Sequence, residues 1–422
     1  MTRGCRGWGA RRPRTYLLAL LVAALSAVIA PGASASTGGA GAGGARKHPH
    51  PPARNASVNP FAGRATWIWE LPKSNRGNVA SIIATAHRYR LNTVMIKSGD
   101  GSGVWSQFTP QLVSELHAGG LRVCAWQYVY GTHPVAEAQV GAAAVKDGAD
   151  CLLIDAEVEY EGKYAQAQAY VTHLRRLIGA GFPVALAGFP YVDFHPAFPY
   201  SVFMGPGGAQ YNVPQMYWAA IGESVDAVYA HTYVFNRLYQ RPISPLGQLY
   251  NAPPPSEIVR FRRLSRAYGG PGVSWWDWQE ASRAAWRAIS LPAGALASFT
   301  ADASLARLGA GARGDVVVWA QEHLVSAGQR VTIDGAFGSH TTAAVRRFQR
   351  AHGVAGTGVV DTTTWQLLLR FAPARVHWGS NQSARIASAA SASRATPAPK
   401  SASLPDVRDE IAGAGGAGRP AR

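Results

Sequence analysis

Cysteine is scarce in this chain of 422 residues, with three in all. Cys5 precedes an apolar run near the N-terminus, so only Cys124 and Cys151 remain for the body of the protein. A disulfide scaffold is thereby excluded and at most one bridge is possible. Both cysteines fall in apolar, strand-like runs, where a bridge and a buried pair of small hydrophobes are equally compatible with the sequence. Long apolar runs are missing too: the longest, Leu17–Ala30, is broken only by Ser26 and falls short of the ~20 residues that span a bilayer, so no membrane span is expected. The 12 His residues show no H-E-x-x-H spacing and no serine sits in a G-x-S-x-G context, which argues against a metallopeptidase and an esterase-like hydrolase. No metal and no cofactor is expected.

Acidic residues are also few, 24 against 41 basic, for a formal charge of +17. The position of that charge decides its meaning. The first 35 residues hold five Arg and no acid, then the apolar run and the small-residue site Ala33-Ser34-Ala35. Residues 1–35 therefore read as a secretory signal peptide. Residues 36–60 read as a Gly/Pro-rich linker, and residues 372–422, basic and rich in Ala, Ser and Pro, as a disordered tail. These segments carry most of the excess and leave only +5 over residues 60–371. A nucleic-acid partner is not expected.

Two globular segments remain, 61–300 and 304–371. In the first, short apolar runs alternate with amphipathic stretches. The runs are 65–71, 93–98, 122–130, 151–158, 183–189, 213–218, 243–250 and 273–279. Helical patterns lie between most of them, at 78–90, 109–117, 135–147, 164–178, 224–239 and 256–268, whereas 191–212 shows little. Eight strands with crossovers predict an α/β fold, a (β/α)8 TIM barrel.

In such a barrel, functional groups collect at the C-terminal ends of the strands. Those ends carry Glu70; Lys97 and Asp100; Trp126, Gln127, Tyr128 and Tyr130; Asp155 and Glu157; Gln215, Tyr217 and Trp218; Gln248; and Trp276, Asp277 and Trp278. Alternation along the fourth strand sends Asp155 and Glu157 to one side. Two carboxylates in one cleft are what glycoside hydrolysis requires, one to protonate the leaving oxygen and one to act as nucleophile, base or stabiliser. Glu157 and Asp155 are thus the expected catalytic pair, with Glu70, Gln127, Tyr128, Gln215, Tyr217, Trp276 and Asp277 as substrate-binding candidates. The rim aromatics suit sugar stacking, although Trp126, Tyr128 and Tyr130 point opposite to Gln127 and some must be core. Lys97 reads as an ion-pair partner of Glu70, and Glu159 and Glu161 as solvated loop residues.

Asp155-x-Glu157, Gln215-Met216-Tyr217-Trp218 and the Trp-Asp-Trp-Gln of the last strand make this segment similar to family 25 lysozymes, which cleave peptidoglycan glycan strands. The resemblance implies Glu157 as general acid and Asp155 as its acidic partner. It departs at the first strand, where those lysozymes have an Asp and this chain has Trp67-Ile68-Trp69-Glu70.

The second segment predicts three short helices: 315–326, one capped by Ser339, and one capped by Asp361. Val316, Val317, Leu324, Val345, Phe348, Trp365 and Leu368 face inward. Gly314-Asp315-Val316-Val317, Gln321, Leu324, Asp334-Gly335-x-Phe337-Gly338, Thr341, Ala344-Val345, Phe348-Gln349, Gly358 and Val360-Asp361-x-x-Thr364-Trp365 closely resemble the three-helix peptidoglycan-binding module. That resemblance implies a cell-wall glycan as partner. A secreted, wall-associated monomeric glycosidase is expected, with an inactive wall-binding protein and a hydrolase of another extracellular polysaccharide as alternatives.

Overall fold

The computed structural model describes residues 59–394. The expected signal peptide, nearly all of the 36–60 linker and the tail beyond residue 394 lie outside the described residues. Strands and helices alternate through β1 (Gly63–Ile68), α1 (Val79–Arg88), β2 (Thr93–Asp100), the short β3 (Gly103–Val104), α2 (Pro110–Ala118), β4 (Arg122–Val129), α3 (Pro134–Lys146), β5 (Cys151–Ala156) and α4 (Tyr164–Ile178). They continue through β6 (Val184–Ala187), α5 (Tyr200–Phe203), β7 (Tyr211–Asn212), α6 (Trp218–Ile221), α7 (Val225–Asn236), β8 (Leu246–Gln248), α8 (Pro255–Ala267), β9 (Gly272–Trp276) and α9 (Arg283–Ser290). Apart from β3, which folds back antiparallel on β2, every strand is parallel to its neighbours, in the order β7-β6-β5-β4-β2-β1-β9-β8. Parallel bridges Asn212↔Ile243 and Gln215↔Leu246 join the two ends, closing the expected (β/α)8 barrel.

The helices begin where local chemistry starts them. The side chains of Asn78, Thr109 and Ser224 accept the first free N–H groups of α1, α2 and α7. The sixth barrel strand, β7, lies just ahead of the expected run 213–218; Pro214 has no N–H for the ladder, and the run keeps its neighbours through Val213 N–H to Leu186 O, Gln215 N–H to Gly188 O and the bridge at Gln215, before Trp218 starts a helical turn.

Period-2 alternation splits the interior in two. Cys124, Trp126, Cys151 and Leu153 enter a core inside the barrel, while Val123, Ala125, Leu152 and Ile154 pack outward against the helices. Cys124 and Cys151 lie directly opposite in register, Cα atoms 4.6 Å apart, and form a disulfide across β4 and β5.

The C-terminal segment folds as α10 (Asp315–Ser326), α11 (Ser339–Ala351) and α12 (Thr362–Leu368) around Val317, Leu324, Phe348 and Trp365. Gly338, rather than Ser339, holds the cap position of α11, and Asp361 caps α12 as expected. Two glutamines clamp the turns: Gln321 Oε1 accepts from the Asp334 and Gly335 N–H groups, and Gln349 Oε1 accepts from Gly358 N–H.

This module is docked on the barrel. α10 packs over the four-residue α5; Trp319 is 2% exposed, lies tilted against Tyr239 with ring centroids 5.2 Å apart and donates its indole N–H to Leu238 O at 2.8 Å. Asp315 is buried and accepts from Ser201 N–H, Ser201 Oγ–H and Tyr239 O–H. Gly314, at φ 99°, lies so close to Pro196 that a Cβ would sit 2.4 Å from its carbonyl oxygen. Residues 372–394 correct the expectation of a tail disordered from 372 onward. Trp378 packs on Tyr164, and α13 (Ser380–Arg394) buries Ile386 against Val318, because those apolar groups find a surface on both barrel and module.

Candidate active site

The C-terminal ends of the strands open into a cleft of about 410 Å³. Its floor is aromatic: Trp67, Trp126 and Trp276 pack with ring centroids 5.3–5.8 Å apart. Above them β5 presents Asp155, 6% exposed, and the half-buried Glu157 just beyond it, on the same side of the strand as Cys151 and Leu153. Gln215 Nε2 donates to Asp155 Oδ1 and to Glu157 Oε1, each at 3.0 Å, so these two oxygens are at most twice that apart. Burial first, then the charge of Glu157, hold the Asp155 carboxyl well above the usual carboxylate range.

Lys97, on β2 two strands from β5, also lines the cleft. The expected pair with Glu70 is not made: Lys97 Nζ lies 2.7 Å from Asp100 Oδ2 and over the Trp105 ring at 4.2 Å, and Tyr130 O–H donates to the other Asp100 oxygen. A register shift between Lys97 and Gly99 brings Asp100 back beside Lys97.

The remaining candidates divide. Tyr128, Tyr217 and Trp276 line the cleft. Gln127 does not. It points outward, donating to Gly101 O and Glu137 O at 2.8 Å each and accepting from Tyr170 O–H, as alternation requires once Trp126 and Tyr128 face in. Replacing Gln127 with Leu strands those buried carbonyls and should cost about 1–3 kcal/mol in urea unfolding while leaving glycan affinity unchanged; weakened binding at full stability would contradict this placement.

Glu70 is also turned away. Trp67 and Trp69 take the inward positions of the first strand, so Glu70 falls on the other side, where it pairs with the exposed Lys73 at 2.8 Å. Glu159 and Glu161, expected in solvent, are half-buried: Glu159 accepts from Tyr128 O–H and Glu161 meets His195 at 2.9 Å. Trp69 was not among the expected candidates, yet it lines the cleft and its buried indole N–H has no hydrogen-bond partner among the described residues. The spacing Trp67-x-Trp69 carried that signal.

Asp277 lies outside the cleft lining and is fully buried, one oxygen accepting from Glu280 N–H and the other without a partner among the described residues. Burial, then the Glu280 charge, push its pKa up from 3.8 to about 8. The native state keeps a proton that the unfolded chain gives up near 3.8, so stability falls as pH rises from there to about 8. Asp277→Asn should therefore gain melting temperature over the parent progressively across that window; a difference that stays constant or shrinks with rising pH would contradict the burial of an ionising group.

Among the described residues no group of three or more His, Cys, Asp or Glu could hold a metal ion, and no helix is long and apolar enough to cross a membrane.

No curated protein sequence matches the chain. Solved structures similar to it include an endo-β-1,4-mannanase from Thermotoga petrophila (7% identity, TM-score 0.41, covering 53% of this chain and 69% of that one). A chitinase from Chromobacterium violaceum (11%, 0.39, 54% and 98%) and the spore cortex-lytic enzyme of Bacillus cereus (11%, 0.40, 54% and 73%) are similar at the same level. The three-helix module has a sequence match of its own: residues 313–368 fit the family model described as "Putative peptidoglycan binding domain".

Proposed function

We propose that this chain is a secreted, wall-targeted glycoside hydrolase whose barrel cleaves peptidoglycan glycan strands. The observation that carries the reading is the pair Asp155 and Glu157, held by one Gln215 amide in an aromatic-walled cleft, on a chain whose C-terminal helices match a peptidoglycan-binding family.

Glu157, the more exposed of the two, gives its proton to the glycosidic oxygen as the bond breaks. Asp155, whose carboxyl burial and then the Glu157 charge hold well above the usual carboxylate range, is the acidic partner beside it. The positive charge that develops on the sugar ring is then taken up by a water molecule, which bonds to the carbon the leaving oxygen has left and returns a proton to the Glu157 carboxylate, restoring the acid. Trp69, Tyr128, Tyr217 and Trp276 offer flat faces to sugar rings, and Gln215 holds both carboxyls in one orientation.

A second reading is favoured by one observation: with Glu70 turned outward, the first strand supplies no carboxylate to the cleft. In that reading the barrel binds wall glycan without cleaving it. Incubating the full chain with purified cell wall separates the two. New reducing ends together with co-sedimentation support hydrolysis, co-sedimentation without reducing ends supports the binding protein, and absence of both removes the wall as the target.

A further inference from the structure

A second cavity, of about 220 Å³, lies where the module meets the barrel, between α4, α5, α10 and the segment that leads to Trp378. Its most telling group is Glu322, on α10. This side chain is 3% exposed, and among the described residues nothing donates a hydrogen bond or forms an ion pair to its carboxyl group. Asp315, two turns earlier on the same helix, shows the contrast: it is equally buried but receives three donors, from Ser201 and Tyr239. The Glu322 oxygens are not sealed in protein but open into the cavity, and a carboxyl this deep without a donor is a place that a cation entering the cavity completes.

Of the other polar lining residues, Gln168 is committed to Val376 O and Trp378 N–H, Ser201 to Asp315, and Thr172 is exposed. Val171, Val202, Pro206 and Trp378 make an apolar wall beside Glu322. Arg375 and His377 stand at the exposed mouth and make no ion pair or hydrogen bond among the described residues. Acid inside, apolar wall, cation outside: the arrangement is complementary to a short alkyl chain with an ammonium at its inner end and a carboxylate at its outer end. The volume is below that of pockets for drug-sized ligands, ~300–1,000 Å³, and suits a single amino acid rather than a sugar polymer. Asp315 adds to the negative field at the inner end, and burial together with that neighbour holds Glu322 well above the usual carboxylate range until a cation arrives.

We propose that this cavity binds an amino acid of the lysine type, free or at the C-terminal end of a short peptide, with Glu322 receiving the side-chain ammonium and Arg375 the carboxylate. The site is separate from the barrel cleft, and the inference does not rest on the barrel being an active glycosidase.

Calorimetric titration of the full chain tests it with L-lysine, Gly-L-lysine, 6-aminohexanoate, hexylamine and hexanoate. Binding is expected for the three probes that carry both charges, with about tenfold or greater loss for hexylamine and hexanoate, each of which lacks one charge. Tighter binding of Gly-L-lysine than of L-lysine identifies a peptide end, and the reverse a free amino acid. Glu322→Gln should weaken the doubly charged probes about tenfold, and Glu157→Gln should leave them unaffected, which separates this site from the cleft. If Glu322→Gln does not fold, the exposed Arg375→Glu decides, and it too should abolish binding. Absence of binding by every probe to the parent chain, or binding by the folded Glu322→Gln or Arg375→Glu variant equal to the parent's, overturns the proposal.

Discussion

Glu157→Gln should reduce release of reducing ends from purified cell wall by about 10²–10⁴-fold, the usual worth of a positioned general acid, while leaving sedimentation with the wall unchanged. The substitution is nearly isosteric, and an amide oxygen can still accept the Gln215 N–H that the carboxylate accepts now at 3.0 Å. The cleft should therefore keep its shape and lose only the transferable proton. A substrate that needs no proton shows whether this is the reason. An aryl glycoside whose phenolate leaves unaided should lose far less rate in the variant than wall glycan does, because only the assisted step has been removed. Equal losses on both substrates would mean that Glu157 acts on the ring rather than on the leaving oxygen. Undiminished cleavage of the wall would remove Glu157 from the chemistry altogether.

Trp319→Ala should destabilise the protein by about 3–5 kcal/mol, the cost of emptying a packed Trp site. Trp319 is 2% exposed between module and barrel, and its loss also leaves Leu238 O without its donor. The more informative result concerns cooperativity. With the interface intact, barrel and module are expected to melt together in urea, followed by circular dichroism and tryptophan fluorescence; with Trp319 removed, the module should open first and split the transition. A variant within about 1 kcal/mol of the parent and still melting in one step would show that the interface contributes little.

Much of the barrel was legible in the sequence because strands buried on both faces leave continuous apolar runs whose ends can be read. Asp155, Glu157, Gln215, Tyr128, Tyr217 and Trp276 were found this way, and all six reach the cleft. The errors lie where one residue of register decides. Gln127, Glu70 and Asp277 each neighbour an inward aromatic, and a strand sends neighbours to opposite sides, so position at a strand end was mistaken for position in the mouth. Lys97 was given the wrong partner for a related reason: the irregularity between Lys97 and Gly99 leaves no mark in the composition. The docking of the module was not legible at all. Asp315, Trp319 and Gly314 serve the module's own helix pattern, and nothing in their spacing tells that the same residues also grip Ser201, Leu238 and Pro196. The segment after Ala372 was misread because its Ala- and Ser-rich composition masks the two residues, Trp378 and Ile386, that anchor it.

That grip changes what carrying a wall-binding module means. A binding domain on a loose tether raises local concentration and lets the other domain search a sphere, whereas one seated through a buried carboxylate, a Trp and a glycine that tolerates no side chain gives up reach for registration. If the module holds the wall, the cleft meets glycan at one offset and one angle from the point of anchorage. The protein would then act less as a roaming cutter than as a caliper, with bonds at a set distance from each anchor presented to it and the rest passed over until it lets go.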